Sequence, residues 1–278
     1  MLERIEAYLK TKLPGADGIS VSNLNRIPGG ASRETWSCDA LWREDGNEVR
    51  RGFIFRRDPD ASLLETDRDL EFRVMEAVWG QGVPVPRMYW LEQDSSWLDR
   101  PFFVMERIDG CETSPQKIIM DPRLYQVRSR TAQSFVNILA QIHALDPSRL
   151  GLDFLGAPPD PAACALTEVQ KWEAVIAKDA LEPQPVLRAA FRWMRRHLPA
   201  PAQRIVVVHA DYRTGNFLCD PEGEIRGILD WELVHLGDPM EDVAWACIRP
   251  WRWAGNELIG GLGDRQEYYR MYEAASGL

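Results

Sequence analysis

Histidine is scarce in this chain. The four present (His143, His197, His209 and His235) never fall in an HxxxH or HExxH spacing, so a zinc site built on paired helical histidines lacks its ligands. Cysteine is nearly as sparse: Cys38, Cys111, Cys164, Cys219 and Cys247 are scattered, odd in number and never spaced as CxxC. That argues against a disulfide framework or a structural zinc site, and for a reducing compartment. No run approaches the roughly 18 apolar residues that a membrane span needs. Excess positive charge is missing too. The net charge is −9, with 15 basic and 19 acidic residues up to Arg107 and 18 and 23 after it. With no basic arm in either part, a nucleic-acid partner has no electrostatic support. The opening MLERIEAYLKTKL is charged and amphipathic, unlike a signal peptide, and the expected location is cytoplasmic.

The composition is otherwise that of a globular protein, 45% hydrophobic and 27% charged over 278 residues, enough for one large domain or two lobes. After a helix at about Leu2–Leu13, strand patterns cover Ile19–Ile27, Glu34–Trp42 and Glu48–Arg57, with a hairpin signal at Asp45-Gly46. Asp69–Trp79 reads as a helix with Glu71, Met75 and Val78 on one face. Further strands at Met88–Glu92 and Phe102–Ile108 complete an expected five-stranded antiparallel sheet. Asp109-Gly110 then breaks the chain. Helices follow at about Leu124–Leu145, Leu166–Lys178 and Val186–His197, and two short strands at Ile205–Val208 and Ile225–Leu229. The expected class is α+β, with a β-rich lobe over residues 1–108 and a helical lobe over 109–278. Such a layout suits a ligand gripped between lobes.

The most informative stretch is IVVVHADYRTGNFLCDPEGEIRGILDWELVHLGDPMEDVAW. An apolar strand delivers His209-Ala210-Asp211, Asn216 follows five residues after the aspartate, and a hairpin returns the chain to Asp230. Phosphoryl transfer to a hydroxyl needs one carboxylate to orient the hydroxyl and take its proton, and hard oxygen ligands for Mg²⁺. Asp211 suits the first task; Asn216 and Asp230 suit the second. Each residue alone has a plainer reading, since most loop aspartates are turn or cap residues. The combination H-x-D-x4-N followed by a strand ending in Asp has the kinase catalytic-loop spacing. His209 reads as support for the loop. Asp238, Pro239 and Glu241 are explained by a helix start and its capping box.

On HADYRTGNFL together with ILDWELVHLGDPMEDVAW, the chain resembles the aminoglycoside phosphotransferase/choline kinase-like superfamily, which shares the protein-kinase fold. Within it, the likeness is to the branch that also supplies the kinase-like domain of acyl-CoA dehydrogenase fusion proteins. It runs from about Ile27 to Trp253. The resemblance implies a two-lobed small-molecule kinase using ATP (GTP also compatible) and Mg²⁺. PGGASRET takes the place of the nucleotide-covering loop, with Gly29, Gly30 and Ser32 near the phosphates. Arg56 takes the place of the phosphate-holding lysine, a departure from the wider pattern that arginine's bidentate geometry accommodates. Glu71 resembles the acidic partner of that cation, and backbone groups near Met105–Arg107 resemble the hinge that bonds adenine. Asp242 is implied as a structural brace. Related chains usually continue past YYRMYEAASGL with more helix.

Other readings stay open at this level. Trp245, Trp251 and Trp253 fit core packing as well as an acceptor pocket. A metal hydrolase using His209 and Asp211 is disfavoured by the oxygen-rich Asp/Asn set, and a binding module without catalysis by the presence of both Asp211 and Asp230. The acceptor is expected to be a hydroxylated metabolite or a hydroxyacyl thioester in preference to an aminoglycoside. The sequence carries no signal for an oligomeric state.

Overall fold

The computed structural model describes residues 1–28, 33–59, 67–252 and 258–278. Three long strands, β1 (Asp17–Ile27), β2 (Glu34–Glu44) and β3 (Asn47–Arg57), follow a first helix, α1 (Leu2–Lys12). Helix α2 (Arg68–Val78) precedes β4 (Met88–Glu92) and β5 (Phe102–Glu106). The five strands form one antiparallel sheet in the order β1-β2-β3-β5-β4. Asp67 starts α2 by accepting hydrogen bonds from the Asp69 and Leu70 amides at 2.8 and 3.2 Å, which satisfies two otherwise orphan donors.

Side chains on β3 and β5 alternate between two apolar clusters, as the two-residue pleat requires. Phe53, Phe55, Phe102 and Val104 join Ile5, Tyr8 and Leu9 of α1. Ile54, Phe103 and Met105 face the other way, toward Phe72, Val74, Met75 and Val78 of α2. This parity decides where Arg56 goes. Sharing the Ile54 face, it is carried toward α2 and the helical half instead of toward α1.

After β5 the chain turns helical: α3 (Pro115–Met120), α4 (Pro122–His143), α5 (Cys164–Asp179) and α6 (Pro185–Arg196). Asp121 caps α4 through the Arg123 amide at 2.9 Å, with Pro122 in the first turn. The apolar face of α4 (Phe135, Val136, Leu139, Ile142) is buried in the same cluster as Ile54 and Phe103. One continuous core therefore runs from the underside of the sheet into the helices.

Four short strands come next: β6 (Val206–Val208), β7 (Phe217–Cys219), β8 (Ile225–Ile228) and β9 (His235–Gly237). β6 pairs with β9 and β7 with β8, both antiparallel. Helices α7 (Met240–Cys247) and α8 (Arg265–Ser276) close the described chain. At three residues, β9 is too short for alternation to mark it, and so its pairing with β6 was not foreseen. The capping box expected at Asp238 and Glu241 forms only in part. Asp238 accepts from the Met240 amide at 2.9 Å, but Glu241 does not fold back on the cap. Its carboxylate lies 3.1 Å from His235 instead. No helix among the described residues is long and apolar enough to cross a membrane.

Candidate active site

Strand β6 is buried throughout and ends at Val208; His209 follows, and then Ala210 adopts φ +68°. A left-handed alanine is strained and must be held by its surroundings. Asp242 holds it: the His209 and Ala210 amides each donate to this carboxylate at 2.8 Å. His143 approaches the same group at 3.1 Å and contacts the Tyr272 hydroxyl at 2.6 Å through its other ring nitrogen. Burial pushes the Asp242 pKa upward, but the hydrogen bond and charge of His143, with the nearby His209, outweigh it and keep the pKa below the ordinary value.

The loop that follows is pinned at intervals. Tyr212 donates to the Phe135 carbonyl at 2.7 Å and Thr214 to the Gly260 carbonyl at 2.7 Å. Gly215 takes φ +111°, open to glycine at little cost, and Asn216 then points back at Asp211. The Asn216 side-chain amide donates to Asp211 Oδ2 at 2.5 Å and to the Asp211 carbonyl at 2.9 Å. The other carboxylate oxygen, Oδ1, accepts from Arg213 Nε at 2.9 Å and Trp245 Nε1 at 2.8 Å. Asp211 is thus fixed from three directions yet keeps 19% of its side chain exposed, enough for a small molecule to reach it.

Asp230 arrives from the β7–β8 hairpin. Asp220 tightens that turn, its Oδ1 accepting the Glu222 and Glu224 amides at 3.0 and 2.9 Å. Phe217 pairs with Ile228, and the Leu229 amide donates to the Asn216 carbonyl at 2.8 Å. Asn216 and Asp230 are therefore brought side by side by backbone pairing. His209 ties the same two segments together. Its Nδ1 accepts from the Asp211 amide at 3.2 Å, which assigns the proton to Nε2, 3.0 Å from the Leu229 carbonyl. With both ring nitrogens occupied by backbone, His209 has none left to ligate a metal.

From the sheet, Arg56 reaches the same place. One terminal nitrogen pairs with Glu71 and the other with Asp230 at 2.7 Å. Glu71 is fully buried and also receives Arg33 Nε at 3.0 Å. Burial alone would lower the Arg56 pKa, but Glu71, Asp230 and Glu232 outweigh it and raise the pKa above the ordinary value. Arg56 Nε is buried and meets no hydrogen-bond partner among the described residues. A buried orphan donor on a cation fits an incoming anionic oxygen.

The structure thus gathers Asp211, Asn216, Asp230, Arg56 and Glu71. Gly29, Gly30 and Ser32 lie outside the described residues, as does Trp253. The Met105–Arg107 segment has two amides in use, with Glu106 N–H donating to Arg87 O at 2.8 Å and Arg107 N–H to Gly52 O at 3.2 Å. The Arg107 side chain pairs with Asp39 and Asp109. Of two further contributors, Arg33 had no signal of its own in the sequence, and Trp245, expected as core or acceptor pocket, donates to Asp211 instead. Trp245 lies three residues after Asp242 on α7, so the two share a helix face. One holds the loop's backbone and the other its carboxylate. Trp251 contributes by stacking, with the Arg213 guanidinium 4.3 Å from its ring.

Residues 24–278 match the phosphotransferase enzyme family, and the chain belongs to it. Among curated relatives it is 30% identical to mouse acyl-CoA dehydrogenase family member 10 over 97% of this chain, but 25% of that protein. The chain spans only 25 to 30% of the length of the first curated relatives it matches. Among solved structures, a Ralstonia eutropha protein assigned as an aminoglycoside phosphotransferase superposes with TM-score 0.73 at 26% identity, covering 99% of this chain and 80% of the other. The ternary complex of an aminoglycoside phosphotransferase with streptomycin and ATP superposes with TM-score 0.60 at 14% identity, covering 100% and 82%. The fold is that of the kinase-like phosphotransferases, with its antiparallel sheet and helical half as expected from the sequence.

Proposed function

We propose that this chain is an ATP-dependent kinase that transfers the γ-phosphate to a hydroxyl of a small molecule. The observation that carries this reading is the held but partly exposed carboxylate of Asp211 beside the Asn216–Asp230 pair. Asp211 is the base. Its two oxygens are oriented by Arg213, Trp245 and Asn216, so it can accept a hydroxyl proton without reorganising.

Asn216 and Asp230 would hold Mg²⁺. Both offer hard oxygens, and Asn216 is turned so that its amide nitrogen, not its oxygen, is spent on Asp211. The metal's contribution would be to neutralise charge on the phosphates. Arg56, kept cationic and oriented by Glu71, would bind the phosphates, assisted by Gly29, Gly30 and Ser32. Adenine would lie against the Met105–Arg107 segment, bonded by backbone groups that the Glu106 and Arg107 amides do not already use. Residues 1–108 and 109–278 are the two lobes between which the nucleotide binds.

For the acceptor we favour a hydroxylated metabolite, with a hydroxyacyl thioester foremost. Likeness to the acyl-CoA dehydrogenase family supports that choice, and the part after Arg107, with 18 basic and 23 acidic residues, is too mildly acidic to argue for a polycationic aminoglycoside. The test is ADP release across a panel of hydroxyl acceptors, with phosphate transfer confirmed by mass, in wild type and Asp211→Asn. Acceptor-dependent turnover that collapses in the variant is the expected result. Equal turnover in both proteins would refute the assignment of Asp211.

A further inference from the structure

Outside that site, one cluster of side chains among the described residues is arranged as a ligand set. Glu168 comes from the second turn of α5, His235 opens β9, and Glu241 lies in the first turn of α7. One ligand atom from each lies within 4.8 Å of the other two.

The imidazole decides what the cluster is for. His235 Nδ1 contacts the Leu233 carbonyl at 3.0 Å, so that nitrogen carries a proton. Nε2 then faces Glu241 Oε2 at 3.1 Å and Glu168 Oε1 at 3.8 Å, both within ion-pair reach. It is buried, and neither carboxylate lies in line for a hydrogen bond to it. A neutral imidazole would point its lone pair at two negative groups. A cation in the space between removes that repulsion. Two ligand atoms at tetrahedral positions around zinc, with bonds of about 2.0–2.2 Å, lie about 3.3–3.5 Å apart, and the observed separations bracket that figure.

Anchoring of the neighbouring helices supplies an independent reason. Of the sixteen residues of α5 only Cys164 is buried, and of the twelve of α6 only Phe191. The pair has little apolar hold on the rest of the molecule, and Glu168 of α5 lies beside His235 of β9 and Glu241 of α7.

We propose that Glu168, His235 and Glu241 bind a zinc-like divalent cation that ties the α5–α6 pair to the segment leading into α7. Two carboxylates and one neutral imidazole balance the charge of the ion and suit zinc in chemistry. Three protein ligands leave one position for water. The Leu233 carbonyl fixes the imidazole from behind, as outer partners of metal-bound histidines do.

The experiment uses the whole chain, stripped with chelator and free of nucleotide, titrated with zinc chloride against a chromophoric zinc chelator. One zinc per chain is expected, with a rise in melting temperature on adding the metal. His235→Ala should lose the high-affinity zinc and the melting shift. Glu168→Gln changes one partly exposed helix residue and should weaken binding at least about tenfold. Asp230→Asn should bind zinc like wild type, which separates this cluster from the nucleotide-metal site. The proposal is overturned if wild type retains no zinc, leaving the trio a protonated ion pair. It is equally overturned if both His235→Ala and Glu168→Gln bind as wild type does.

Discussion

The segment from β6 to α7 and the α5–α6 pair adjoin in sequence but are held by opposite means. In the first, backbone conformations that would otherwise be unfavourable are fixed by buried charge. Asp242 receives two amides of a strained turn, and His209 receives one amide and approaches the carbonyl before Asp230. In the second, Leu181, Val186, Leu187 and Trp193 are exposed and little is buried. The phosphoryl transfer proposed for the first region would demand fixed geometry, because reacting groups must be positioned before reaction. A helix pair with few buried contacts is free to differ without disturbing that geometry. The contrast implies that substitutions in the two regions will have very different consequences.

The largest effect should come from Asp211→Asn, which is nearly isosteric but removes the proposed base and turns one of two acceptor oxygens into a donor. Phosphoryl transfer should fall by about 10²- to 10⁴-fold while nucleotide binding, measured by calorimetry, persists. Next is Asp242→Ala. It leaves the His209 and Ala210 amides and His143 without their shared partner, and loss of one member of a buried charged group costs about 3–5 kcal/mol. Urea unfolding should show a correspondingly lower midpoint. A loss under about 1 kcal/mol would mean that the turn holds itself.

Asp242 also predicts the sign of a pH effect. Its folded pKa lies below the ordinary value of 3.8. The stability it contributes is therefore complete above that value and is lost as pH falls through the folded pKa. Asp242→Asn, being already uncharged, should show a shallower decline in stability on acidification than wild type. Parallel declines would show that this carboxylate does not couple to folding.

Trp245→Phe is a finer test. It keeps a ring but deletes the donor to Asp211 Oδ1, and a lost hydrogen bond to a charged group is worth about 1.5–3 kcal/mol. A fall in kcat of about tenfold or somewhat more, with nucleotide affinity kept, would identify it as a positioning residue. Smallest of all should be Leu187→Ser on α6, where the side chain is 39% exposed. Its melting temperature should be nearly unchanged, within about 0.5 kcal/mol of stability. A large loss would mean that this surface is covered in the working protein.

Much of the site was legible because its information is local. Asp211 and Asn216 are five residues apart on one loop, and the strand that ends at Asp230 announces itself by its apolar run. Glu71 was legible through its helical spacing from Met75 and Val78, which placed a carboxylate on a buried face. What could not be read spans longer stretches of chain. Trp245 is 34 residues from the Asp211 it supports, and Arg33 is 38 from Glu71. Glu168, which the sequence did not single out, is 67 residues from the His235 it faces.

The sequence by itself determined most of the longer elements, the alternation that turns Arg56 away from α1, and the residue types able to carry phosphoryl transfer. Periodicity and short-range spacing are written in neighbouring residues, and the physics that reads them is local. Beyond the Arg56–Glu71 pair, only the tertiary structure decided which charged groups meet which partners. Asp242 of α7 becomes the support of a strained alanine just past β6, and Asp230, just past β8, becomes the partner of Arg56 from β3. Such contacts depend on packing between distant elements, and pairwise spacing along the chain carries no record of it.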